Sequence, residues 1–277
     1  MSTPFIPGAG VDAAVIMGGL YGAGIIGCKG ALAPQWVAGL GADIGVLFDE
    51  ARARPGGALE RGPHRHYVEV HPERLRGFAE LATHPWVVAV CEAVLGASYQ
   101  IVEAGFDVAG PGAMKQPWHR DFPPPPATTE GRRLNSLAFN ITTVDVLENM
   151  GPLEIAPGTQ WDLWQGDPMF PPPEAWERYE ARRERKLPQV GDISARSALT
   201  VHRGTANGSR VARPVFVLGV DAADGTNADK HDLQVTRGYY DALPEAARRH
   251  LACRVVERLE PLVQAHTIEG LLMGQMG

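Results

Sequence analysis

The run Ala198–Val220, "ALTVHRGTANGSRVARPVFVLGV", holds two β-type segments, "ALTVHRGT" and "RPVFVLGV", joined by a loop of small and polar residues. Runs rich in Val, Leu and Phe and bounded by Gly, Asn and Pro mark short strands. Upstream, "YQIVEAGFDVAG", "MKQPWHRDF", "SLAFNITTV" and "GPLEIAPGTQ" have the same texture. Their length and spacing predict an antiparallel sandwich or barrel over about residues 99–220. Helices flank it. "GAGIIGCKGAL" reads as a short strand and turn, and "APQWVAGLGADIGVLFDEARAR" then places Trp36, Leu40, Ile44 and Leu47 at helical spacing. Pro55-Gly56-Gly57 stops that helix. Two more helices are predicted over 72–82 and 85–95, the second with Pro85 at its first position. "LPEAARRHLACRVVERLEPLVQA" reads as a C-terminal helix. The expected fold is α+β: a double-stranded β-helix, or cupin-like jelly roll, flanked by helices in a single domain spanning residues 1–277.

Residues 161–188 break the pattern as a proline-rich insertion with a short charged helix, expected to form a covering flap. Its Trp161, Trp164, Phe170 and Trp176 either pack within that flap or touch substrate. Arg182–Lys186 alternates with Glu and reads as a solvated helix face.

Composition bounds the function. A chain of 277 residues, 44% of them hydrophobic, can bury a full core. A net charge of −6 argues against a nucleic acid or an anionic membrane as partner. Cys28, Cys91 and Cys253 form no CxxC pair, which predicts free thiols in a reducing compartment, packed as small core residues. The apolar stretch "AAVIMGGLYGAGIIGC" is too short for a membrane span and no basic segment precedes it, so a cytoplasmic location is expected. The C-terminal Leu251, Val255, Leu259 and Leu262 are expected to pack on the core or on a second copy in a homodimer.

In "QPWHRDF" (116–122), strand alternation puts His119 and Asp121 on one face and Arg120 on the other. A bare His-x-Asp also suits a hydrogen-bonded polar pair in a core. The jelly roll adds the deciding partner by bringing His202 back beside them. Two histidines and one carboxylate make a facial triad that leaves coordination positions open, as in non-haem Fe(II) oxygenases. Arg213, one strand further, can take a carboxylate in two-point fashion. Near that strand pair Ser197, Thr200 and Thr205 offer hydroxyls, and Asn140 lies on a strand that could face the same cavity. Lys115 shares a face with His119, whereas Gln116 does so only if Pro117 distorts the strand. His64, His66 and His71 lack a companion cysteine or carboxylate at zinc spacing and read as a surface or substrate-facing strand. Pro123–Pro126 reads as a stiff loop where substrate enters rather than a polyproline ligand.

Three blocks together resemble the phytanoyl-CoA dioxygenase-like family of Fe(II)/2-oxoglutarate-dependent oxygenases. They are Trp118-His119-Arg120-Asp121, then Gly151-Pro152-Leu153 with Pro157-Gly158-Thr159, then His202 with Asn207, Ser209 and Arg213. Thr159-Gln160 stands where the family usually has Ser-His. The resemblance implies that His119, Asp121 and His202 hold Fe(II), and that 2-oxoglutarate chelates the iron with its far carboxylate on Arg213. Gln116, Asn140 and Thr200 are further candidates for co-substrate contact. Dioxygen would be consumed, succinate and carbon dioxide released, and a C–H bond of a small-molecule substrate hydroxylated. Desaturation, epimerisation and ring formation are alternatives, as is an inactive binding protein on the same fold. Asp121 stands where related halogenases have a small residue, which argues against halogenation.

Overall fold

A computed structural model describes residues 12–264. The chain opens with α1 (Ala13–Met17), which continues as a π-helical turn over Gly18–Ala23 and leads into β1 (Ile25–Cys28) and α2 (Pro34–Arg52). The strands β2 (Leu59–Glu60) and β3 (Arg65–Glu69) follow, then α3 (Phe78–Ala82) and α4 (Pro85–Leu95). The centre comprises β4 (Gln100–Ala109), α5 (Pro126–Thr129), β5 (Ser136–Thr142), β6 (Leu153–Ile155), α6 (Pro173–Arg182) and β7 (Glu184–Lys186). β8 (Ile193–Ser197), β9 (His202–Gly204) and β10 (Arg213–Asp221) complete it. The last elements are β11 (Gln234–Thr236), α7 (Arg237–Ala242), α8 (Glu245–Arg248) and β12 (Arg254–Val256).

Seven strands form one antiparallel sheet in the order β1-β8-β5-β10-β4-β3-β2, and three form a second in the order β7-β6-β9. Each long strand of the large sheet has two unlike faces because its side chains alternate. On β5 and β10, Phe139, Ile141, Phe216, Leu218 and Val220 are buried on one face. That face packs on the helices: Trp86 of α4 meets Phe139 edge-on at 6.0 Å, and Phe48 of α2 meets Phe106 at 6.4 Å. α2 buries Val37, Leu40, Ile44, Leu47 and Ala51, steps of three, four, three and four that keep one stripe inward. The other face of the sheet, with Asn140, Val215 and Val217, looks across a cavity towards the small sheet. The jelly-roll reading of the sequence and this pairing agree.

Other expectations change. The C-terminal run is not one helix: after α7 and α8 the backbone of 250–252 exchanges hydrogen bonds with Ile101, and β12 pairs in parallel with β11. Pro244 interrupts the helical period, and the edge of the large sheet supplies backbone partners that a helix would have left unused. Residue 265 of that segment lies outside the described residues. The 161–188 insertion does not cover the cavity with its aromatic residues. Trp164, Ala175, Trp176 and the fully buried Tyr179 pack behind the small sheet on Trp118, Ala156 and Val201. Trp161 lies against Tyr21 at 5.6 Å, so these aromatic residues serve packing, whereas the Phe170 ring lies 6.3 Å from the His119 ring. Arg185 sits in β7, not on a helix, and bonds Glu154 and Glu148. Among the described residues no helix is long and apolar enough to cross a membrane.

Candidate active site

"MKQPWHRDF" does not form a regular strand. It runs extended beside β9, with His119 and His202 exchanging N–H···O bonds of 3.0 and 2.8 Å. Further bonds join Gln116 N–H to Gly204 and Asp121 N–H to Ala198. Pro117 has no N–H to contribute, and the alternation fails around it. Gln116, His119 and Asp121 therefore all line the cavity, while Lys115 is exposed. Arg120 does point the other way: its guanidinium lies 3.7 Å from the Trp164 ring and donates to the Asp162 carbonyl.

His119, Asp121 and His202 present one ligand atom each within 4.8 Å of one another, the single such group among the described residues. The histidines at 64, 66 and 71 are not part of any such cluster. The Nδ1–H of His119 donates to the Pro117 carbonyl and that of His202 to the Thr200 carbonyl, both at 2.9 Å. Each Nε2 lone pair is thereby aimed at the shared point, the usual way a ligating imidazole is held. Burial keeps both rings neutral: His119 is held down to about 4 and His202 well below its ordinary value. Burial opposes ionisation of Asp121, but the Arg196 charge and its hydrogen bond outweigh it and keep the carboxyl well below the usual range. Arg196 donates to Asp121 Oδ2 at 2.9 Å, leaving Oδ1 beside His202 Nε2 at 3.4 Å. Two neutral imidazoles and one carboxylate, with open space in front, fit a divalent iron.

The cavity has a volume of about 600 Å³. Arg213 lines it, is buried, and its Nε has no hydrogen-bond partner among the described residues. Burial and the neighbouring Arg65 charge lower the guanidinium to about 10, still fully charged at neutral pH. An uncompensated buried cation is costly, so this site suits an anionic ligand group. Asn140 also lines the cavity. Gln116 does too, but its Oε1 is occupied by the Gly204 N–H at 2.8 Å. Thr200 is elsewhere: its hydroxyl donates to the Gly24 carbonyl at 3.0 Å, and neither it, Ser197 nor Thr205 is on the cavity wall. Gly24 has φ +80°, and a Cβ there would fall 2.1 Å from the Thr200 hydroxyl. Phe122 lines the cavity while Pro123–Pro126 do not, Pro126 starting α5 instead. All three cysteines are free, and Cys28 both packs against the core and lines the cavity.

Two arginines escape a sequence reading. Arg196 sits in "ISARS", a strand too short and polar to stand out, and β8 places it behind Asp121. Arg65, in the "PHRHY" stretch, pairs with Asp107 at 3.0 Å and donates to the Thr205 carbonyl.

Residues 20–215 match the phytanoyl-CoA dioxygenase (PhyH) family. No curated protein matches the chain in sequence. Among solved structures, the carbocyclase SnoK from nogalamycin biosynthesis, an α-ketoglutarate-dependent non-haem enzyme, is similar at 20% identity and TM-score 0.61, covering 77% of this chain and 85% of its own. EctD from S. alaskensis with 2-oxoglutarate and 5-hydroxyectoine gives 16% identity and TM-score 0.65, covering 95% and 86%. The epimerase SnoN in complex with Fe3+, α-ketoglutarate and nogalamycin RO gives 21% and 0.59, covering 76% and 84%. At these identities the likeness speaks for the shared fold. The family match spans most of the chain and contains all four residues at issue, from the paired His119 and Asp121 to His202 and Arg213: the chain belongs to the PhyH family of Fe(II)/2-oxoglutarate-dependent oxygenases.

Proposed function

We propose that this protein hydroxylates a C–H bond of a small organic molecule, using Fe(II), 2-oxoglutarate and dioxygen. The observation that carries the reading is the convergence of His119, Asp121 and His202 on one point of a cavity that also holds the unpartnered Arg213. Those three side chains would hold the iron, and Arg213 the far carboxylate of 2-oxoglutarate. When bound, iron and co-substrate supply the oxidising chemistry, with dioxygen consumed and succinate and carbon dioxide released.

The chain's own groups do the positioning. The Pro117 and Thr200 carbonyls fix both imidazole tautomers. Arg196 holds one oxygen of Asp121, so the other is the one presented. Gln116 ties its segment to β9 through Gly204 and keeps His119 and His202 in register. Val215 and Val217 give the substrate side an apolar wall that excludes water from the reacting carbon.

A carbocyclase and an epimerase among the structural neighbours favour a second reading, in which the same site closes a ring or inverts a centre. Product mass separates the two, since only hydroxylation leaves an added oxygen atom. Anaerobic addition of Fe(II) and 2-oxoglutarate should give a weak visible charge-transfer band, and its absence at saturation sinks the oxygenase reading. Asp121→Ala should abolish the band, and Arg213→Ala should weaken 2-oxoglutarate binding by at least roughly tenfold, the loss of a charge-assisted contact.

A further inference from the structure

The cavity wall carries one charge that the proposed chemistry does not use. Its acids are answered: Asp107 by Arg65, Asp121 by Arg196, Glu103 by the Tyr67 hydroxyl, Asp192 by the Gly30 and Gln189 backbone amides, and Asp221 by the backbone and side-chain amides of Asn227 at 3.0 and 3.1 Å. Its cations are mostly answered as well. Arg185 pairs with Glu148 and Glu154, Lys186 with Glu184, and Lys29 is exposed.

Arg61 is the exception. It follows β2, lines the cavity and is half-buried, with its guanidinium carbon 4.1 Å from the Tyr67 ring centroid. It makes no ion pair among the described residues, and its Nε is buried without an acceptor. Contact with a ring engages the cation's charge and consumes no N–H donor. Tyr67 is itself held by Glu103, and its β3 register partner is Asp107, whose partner on β10 is Val215. Arg213 lies two residues before Val215 on that strand, so Arg61 is fastened through Tyr67 to a row of its own. Arg61 and His119 line the same cavity.

We propose that Arg61, held on the Tyr67 ring, binds an anionic oxygen group, a carboxylate or a phosphate, of the primary substrate. The proposal rests on the oxygenase reading in one respect: it takes Arg213 to be occupied by the co-substrate. A planar fork of N–H donors beside an aromatic face suits such a group in two-point fashion. The substrate's charged end would then lie over β3, with its apolar part along Val215 and Val217.

The test uses the full chain with Fe(II) and saturating 2-oxoglutarate, without oxygen. Calorimetry would compare hexanoate and hexyl phosphate with neutral hexanamide and cationic hexylamine. The anions should bind roughly tenfold more tightly than the amide, the worth of one charge-assisted contact. Arg61→Gln should erase that preference and Arg61→Lys should keep part of it, with 2-oxoglutarate affinity within about twofold of the parent in both. The stronger of hexanoate and hexyl phosphate names the group. Equal binding of anion and amide, tighter binding of hexylamine, or an unchanged preference in Arg61→Gln overturns the proposal. So does a parallel loss of 2-oxoglutarate affinity, which would make Arg61 a co-substrate residue. The two readings fail separately. A charge-transfer band without anion preference sinks only this one, and an Arg61-dependent preference without a band sinks only the oxygenase reading.

Discussion

At the scale of single residues, Arg196 sharpens the site. It is buried, and it holds the Asp121 oxygen turned away from His202. Partners that orient a metal ligand typically matter 10–100-fold in metal affinity. Arg196→Leu should therefore raise the Fe(II) dissociation constant by about that factor while leaving the far-ultraviolet circular dichroism intact. Anaerobic Fe(II) titration checks it, and an unchanged constant would show that Asp121 needs no such support. His119 and Asp121 alone were ambiguous in the sequence, and they became legible only together with His202 and Arg213, which a jelly roll can bring back beside them. Arg196 was not legible. Its role depends on β8 pairing with β5 and β1, which no local pattern in "ISARS" announces. Gln116 and Lys115 exchanged places for an equally local reason, since Pro117 breaks the alternation on which their assignment rested.

At the scale of elements, the small sheet is held from behind by a buried charge network. Glu154 on β6 receives Arg203 at 2.7 Å, both nearly inaccessible, and Arg203 also reaches Glu180 of α6 at 2.5 Å. Arg203 lies beside His202, so the network directly backs the strand that carries this proposed ligand. A buried charge left wholly unpaired costs about 3–5 kcal/mol, but without Glu154 Arg203 would keep Glu180 and Arg185 would keep Glu148. Glu154→Ala should therefore lose only part of that in urea unfolding, and Glu154→Gln, which keeps one acceptor oxygen, should lose less. Equal stability of Glu154→Ala and the parent would remove the network from the account. The helices α2 and α4 were readable because each has Pro at its first position and an apolar stripe at helical period. The C-terminal run was misread, and the role of the insertion's aromatic residues was left open, because their sequences have local periodicity whereas their conformations are set by partners far along the chain. Tyr179 is buried on Trp118, and the 250–252 backbone pairs with Ile101.

At the scale of the whole molecule, the segment between β10 and β11 is fastened to the large sheet through His231. Its Nδ1 lies 3.2 Å from Glu69 Oε1, and both side chains are buried. Burial alone would lower the imidazole's pKa, but Glu69, with Glu103 and Asp221 behind it, raises it above the ordinary value. The folded chain then holds this proton more tightly than the unfolded one. Its stabilisation is fully present below the unfolded pKa of about 6.5 and is lost as pH rises through the folded pKa. The metal-free protein should show this contribution as a melting midpoint that declines with rising pH above that point, and Glu69→Gln should flatten the decline. A parent and variant with superimposable profiles would exclude the linkage.

The two unlike faces of the large sheet carry a consequence for how this enzyme can change. Residues 139 and 141 of β5 and 216, 218 and 220 of β10 belong to the core, while Ala138, Val215 and Val217 touch only the cavity side. On the proposed function, substrate scope and foldedness are thus written on alternate letters of the same strands. Variation confined to the cavity-side letters can drift or be selected towards new molecules without first needing a more robust parent. A library at positions 138, 215 and 217 should retain soluble expression far more often than one at 139, 216 and 218.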